Sequence, residues 1–150
     1  MRTVVIGVGN PYRHDDGAGT AVAAALRDRP TDGVAVVDSD GEPAGLINAW
    51  QAAREAIVID AARHARSAPG TIHRIDLARD RLYQEGNASS HGIGLGEAIE
   101  LARVLRRLPR HLVLYSIEPA DTSLGVGLDP AVRRAVSVLA NRIRSHLERA

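Results

Sequence analysis

Val4, Val5, Ile6 and Val8 form a continuous apolar run ending in glycines, the pattern of a strand buried on both faces. Gly9 and Asn10-Pro11 force the chain off that strand, and Ala21 to Leu26 then reads as an alanine-rich helix. Arg29 to Gly33 is turn chemistry, Val34 to Val37 is a second strand, and Glu42-Pro43 opens a short helix. Leu46, Ile47, Ala49 and Trp50 give that helix an apolar face, with the tryptophan in the core. Ala56 to Ala61 is a third strand, ended by Asp60.

Thr71 to Leu77 alternates apolar and polar positions and reads as a half-exposed strand, with His73 on its solvent face. The connection from Ala62 to Gly70 is shorter than the roughly dozen residues a parallel crossover needs. The fourth strand is therefore expected to run antiparallel at an edge of the sheet. Leu82 to Ala88 reads as an irregular surface segment, and Ser89-Ser90-His91 precedes a helix with apolar positions Leu95, Ile99, Ala102 and Leu105. His111 to Ile117 is a fifth strand, stopped by Glu118-Pro119. After a glycine-rich loop, Asp129-Pro130 caps a last helix with the core stripe Val132, Val136, Leu139, Ile143 and Leu147. The expected fold is α/β, a mixed five-stranded sheet with helices on both faces.

A length of 150 residues with 45% hydrophobic content is enough for one domain, 1–150, with its own core. The apolar runs are too short to span a bilayer, and Met1-Arg2 leads directly into a strand instead of a signal-peptide core, so a cytoplasmic chain without a membrane segment is expected. The absence of cysteine removes disulfides, thiolate metal sites and a cysteine nucleophile. All 19 basic residues are arginine, which removes a Walker-type phosphate lysine and a Schiff base. A net charge of +1, with the arginines dispersed among as many acids, argues against a nucleic-acid partner. Arg103, Arg106, Arg107 and Arg110 are the one dense basic group and fit a solvated helix face or a local docking patch.

The candidate chemistry lies where strands end. Asp15-Asp16 stand before the first helix, where one aspartate suffices as a cap and the other is free for function. Asp60 ends a buried strand at the same carboxyl edge if the first and third strands are parallel, and needs a hydrogen bond, a cation or a metal there. Gly7 and Gly9 match the start of a dinucleotide fingerprint, but the third glycine falls on Tyr12 and acids follow, which tells against a pyrophosphate. Asp38, Asp40 and Glu42 fit turn and cap chemistry. His91 sits among glycines, and spacing alone leaves it open between a structural role and a ligand. No Gly-x-Ser-x-Gly elbow is present. Asp16, Asp60 and His91 make an oxygen and nitrogen set suited to a borderline divalent ion such as nickel or zinc.

Five pieces in order carry a resemblance: Gly7-Val8-Gly9-Asn10 with Asp15-Asp16, Asp60-Ala61, Ala68-Pro69-Gly70-Thr71, Ser89-Ser90-His91 with Leu95, and Gly127-Leu128-Asp129-Pro130. Together they resemble the hydrogenase maturation endopeptidase family across nearly the whole chain. The resemblance implies a three-layer sandwich, a twisted, mostly parallel sheet between helix layers. It implies that Asp16, Asp60 and His91 bind nickel, leaving Asp15 to the helix end. The implied substrate is the large-subunit precursor of a nickel-iron hydrogenase, which carries the nickel in and loses a C-terminal extension in one cut. The chain departs from the family in having Gly41-Glu42-Pro43 where Gly-Gly-Thr is frequent, and aspartate at position 16 where glutamate is frequent. Two mechanisms remain open: the metal as Lewis acid on the scissile carbonyl or a water, or the metal as anchor with Asp16 or Asp60 as general base. A non-hydrolytic, nickel-dependent chaperone or docking module is the alternative function.

Overall fold

The computed structural model describes residues 2–64, 67–78 and 95–149. Among them, β1 (Thr3–Val8), β2 (Val34–Ser39), β3 (Glu55–Ala61), β4 (Ile72–Ala78) and β5 (His111–Ile117) form one sheet in the order β2-β1-β3-β5-β4. The pairs β1–β2, β1–β3 and β3–β5 are parallel, and β4 runs antiparallel to β5 at the edge, as the short connection after β3 requires. The helices are α1 (Ala18–Arg27), α2 (Pro43–Trp50), α3 (Leu95–Leu105) and α4 (Pro130–Arg149).

The period of two along each strand sorts side chains into two cores. Val4, Ile6, Ala56, Val58, Leu112 and Leu114 face α2 and α3, meeting Leu46, Trp50, Ala98 and Ile99. Val5, Ile57, Ile59, Val113 and Ile117 face α1 and α4, meeting Val22, Val132, Leu139 and Ile143. From β1 the chain steps sideways to β2, then back past β1 to β3. Right-handed crossovers in these opposite directions put α1 and α2 on opposite faces. The reversal makes the boundary between β1 and β3 the switch point of the sheet, the place beyond whose strand ends such folds bind their ligands.

Local chemistry fixes the elements. The Glu42 carboxylate caps α2 by accepting from the N–H groups of Ala44 and Gly45, so the departure at Gly41-Glu42-Pro43 serves a helix start. Asp129 accepts from the Ala131 N–H at the start of α4. Gly19 lets α1 lie directly on the sheet: a Cβ there would collide with the carbonyl oxygens of Ile59 and Val8. One expected core position differs. Leu105 is 51% exposed, because the buried stripe of α3 runs through Leu95, Ala98, Ile99 and Ala102, and Leu105 lies off that line at the helix end.

Candidate active site

β1 delivers the chain to the carboxyl edge at Val8, where Gly9 adopts φ +145°, a conformation that favours glycine, and where a Cβ would collide with the Asp16 carbonyl oxygen. A 3₁₀ turn, His14–Gly17, follows and packs against β3. It presents Asp16, whose Oδ2 accepts the Asn10 N–H at 2.9 Å.

Asp15 does something other than serve the helix end. Its side chain makes no cap bond to α1, whose N-cap is Gly17. It is fully buried, its Oδ2 accepting the N–H groups of Ala120 and Asp121 at 2.8 and 2.9 Å and its Oδ1 that of Asp129 at 2.8 Å. Asp15 thus ties the first loop to the loop between β5 and α4. The same two loops are joined by His14 N–H to Gly125 O and Gly125 N–H to Tyr12 O, both at 2.8 Å.

Asp60 ends β3 on the α2 and α3 face, half-buried, beside Ser116 of β5 in the strand register. Burial pushes its carboxyl pKa up from 3.8, and the charge of Asp16 pushes the same way; the Ser116 hydroxyl and His64 oppose them. The parallel pairing of β1 with β3 puts the loop that carries Asp16 and the end of β3 that carries Asp60 at the same edge of the sheet, near enough for the charge of one to act on the other. His91 lies outside the described residues. Among the described residues, no group of three His, Asp or Glu side chains could hold a metal ion, so Asp16 and Asp60 would need a further donor from elsewhere in the chain or from a bound partner.

Sequence reasoning missed the surroundings of Asp60. His64, His73 and Ser116 line one cleft with it, together with Val58, Ile75, Leu95 and Leu114. His73 does not face solvent. It shares the inner face of β4 with Ile75 and Leu77, and its Nε2 lies 3.1 Å from Oε2 of Glu118, a carboxylate only 3% exposed. The Glu118 Oε1 accepts the His64 N–H at 2.8 Å. The signal for His73 was in the alternation His73, Ile75, Leu77. For His64, in an arginine-bearing loop, no local pattern gave one.

A doubly wound α/β domain with one carboxylate in the loop after its first strand and another near the end of the neighbouring parallel strand is the class of molecule this geometry defines. The sequence profile of the HycI hydrogenase maturation protease family matches residues 20–146. The hydrogenase expression/formation protein HupD of Bradyrhizobium diazoefficiens is 32% identical over 143 residues, covering 91% of this chain and 72% of that protein. Among solved structures, the hydrogenase maturating endopeptidase HybD from E. coli superposes with a TM-score of 0.83 at 25% identity, covering 99% of this chain and 93% of its own. The [NiFe] hydrogenase maturation protease HycI from Thermococcus kodakarensis shares the fold with a TM-score of 0.76 at 24% identity, covering 98% and 92%. The chain belongs to the hydrogenase maturation protease family, and its chemistry is peptide-bond hydrolysis.

Proposed function

We propose that this protease removes the C-terminal extension of a nickel-iron hydrogenase large-subunit precursor, and that Asp16, Asp60 and His91 read the nickel the precursor carries. The observation that supports this most is the approach of Asp16 to Asp60. Two carboxylates whose charges act on each other, with the proton affinity of Asp60 raised first by burial and further by Asp16, are relieved by a divalent cation. Carboxylate oxygens with one imidazole are a donor set that nickel accepts, and the precursor's own ligands complete its coordination.

Each carboxylate has two oxygens, so one can engage the ion while the other takes the proton of an attacking water. Addition of that water to the scissile carbonyl, followed by C–N cleavage with the proton passed to the amine, completes the hydrolysis. A precursor without nickel would leave the repulsion between the two carboxylates unrelieved, so metal loading gates docking and hence the cut.

The test is incubation with nickel-loaded and nickel-free precursor, followed by weighing the products. Cleavage of the loaded form alone is expected, with loss of cleavage in Asp16→Ala and Asp60→Ala. Cleavage of the nickel-free form at a similar rate, or full activity in both variants, would overturn the reading. Stable binding without any cut would instead favour a docking module.

A further inference from the structure

The residues behind Asp60 form a connected set that hydrolysis, as described so far, leaves unused. The register places Asp60 of β3, Ser116 of β5 and His73 of β4 side by side across three adjacent strands, on one face of the sheet. Ser116 is 9% exposed, and its Oγ lies 3.3 Å from Nε2 of His64. The His64 ring packs on that of His73, with centroids 4.2 Å apart and planes tilted by 47°. The buried Glu118 closes the set, holding the backbone N–H of His64 with one oxygen and the His73 ring with the other. His64 is thus held at three points: backbone, ring face and ring nitrogen.

Resting on the proposed role of Asp60, we propose that Ser116 is a positioning residue for the Asp60 carboxylate, itself oriented by His64, with His73 and Glu118 as the support. The proton inventory gives the chain a direction. An ionised carboxylate only accepts, so the single Ser116 proton points to Asp60; Oγ then accepts, and His64 must carry its proton on Nε2. His73 donates from Nε2 to Glu118 by the same logic. One orientation of each group satisfies all the others, which locks the carboxylate in the geometry that catalysis needs. Support of this kind acts on the chemical step and, through the hold of Asp60 on nickel, on docking of the precursor.

The experiment compares Ser116→Ala, His64→Leu, His64→Gln and Asp60→Asn, using nickel-loaded precursor as substrate and thermal unfolding as the control for folding. Ser116→Ala and His64→Leu should lower kcat roughly tenfold or more, with any rise in KM reporting a weaker hold on the nickel. His64→Gln places an amide N–H near the position of Nε2 and should restore most of kcat, an outcome that loss of packing would not give. Wild-type kcat in Ser116→Ala and His64→Leu, with Asp60→Asn inactive, overturns the positioning role and leaves the proposed function standing. Equal loss in His64→Gln and His64→Leu also overturns it. Full activity in Asp60→Asn removes Asp60 from the site and overturns both readings. Should Ser116→Ala fail to fold, the two His64 variants, at a partly exposed position, decide the matter alone.

Discussion

Asp15 and Asp16 are chemically identical neighbours with different work, because successive side chains in a 3₁₀ turn point about 120° apart. Asp15 turns into the β5–α4 loop and satisfies three backbone N–H groups, whereas Asp16 turns toward Asn10 and the end of β3. Asp15→Ala strands three donors and should cost about 3 kcal/mol or more, read as a lower thermal midpoint. Asp16→Ala should unfold close to wild type yet lose cleavage. Asp60 carries the opposite balance. Its folded pKa is raised above 3.8, so from there up to the folded value the native state binds more protons than the unfolded chain. Stability contributed by this group therefore falls as pH rises through that window. In metal-free protein, Asp60→Asn should be more stable than wild type at neutral pH, with the difference closing below about pH 4. Thermal unfolding across pH checks the sign: a variant less stable at neutral pH would contradict it.

Among the elements, α1 is set by contact with the sheet more than by its own sequence. Gly19 stands against Ile59 O and Val8 O, and Gly7 of β1 against Gly19 O, so helix and sheet meet backbone to backbone. This close approach holds the 3₁₀ turn, and with it Asp16, down on the end of β3. Gly19→Ala is expected to gain helix propensity yet lose about 1 to 3 kcal/mol through the forced displacement of α1. Activity should fall further than stability alone predicts, because displacing α1 moves Asp16 away from Asp60. Denaturant midpoints and cleavage rates measured on the same preparation separate the two effects.

For the molecule as a whole, the order β2-β1-β3-β5-β4 matters most, since it puts the switch point between β1 and β3 while keeping β5 beside Asp60 and β4 one strand further on. Apolar cores lie on either side of the sheet, and among the described residues no group of three His, Asp or Glu side chains could hold a metal ion. The fold should therefore be indifferent to nickel, whereas the proposed reaction depends on it. A chelator should leave the thermal midpoint of the isolated protease unchanged, while stripping nickel from the precursor abolishes its cleavage. A chelator-induced loss of stability would mean that the protein holds a structural metal of its own. No helix among the described residues is long and apolar enough to cross a membrane.

The sequence by itself determined the alternation of strands and helices, the antiparallel edge strand, the position of Asp60 near the end of a buried strand, and the family. These are properties of local periodicity, turn residues and connection length, which a chain states before it folds. Tertiary structure alone decided which of two adjacent aspartates is structural, because that depends on three N–H groups more than 100 residues away. It alone gathered His64, His73, Ser116 and Glu118 behind Asp60, since lateral neighbours in a sheet are set by strand order and register. His73 shows the boundary between the two: the two-residue period put it on the face of Ile75 and Leu77, but only the presence of β5 and a buried Glu118 made that face polar at one end.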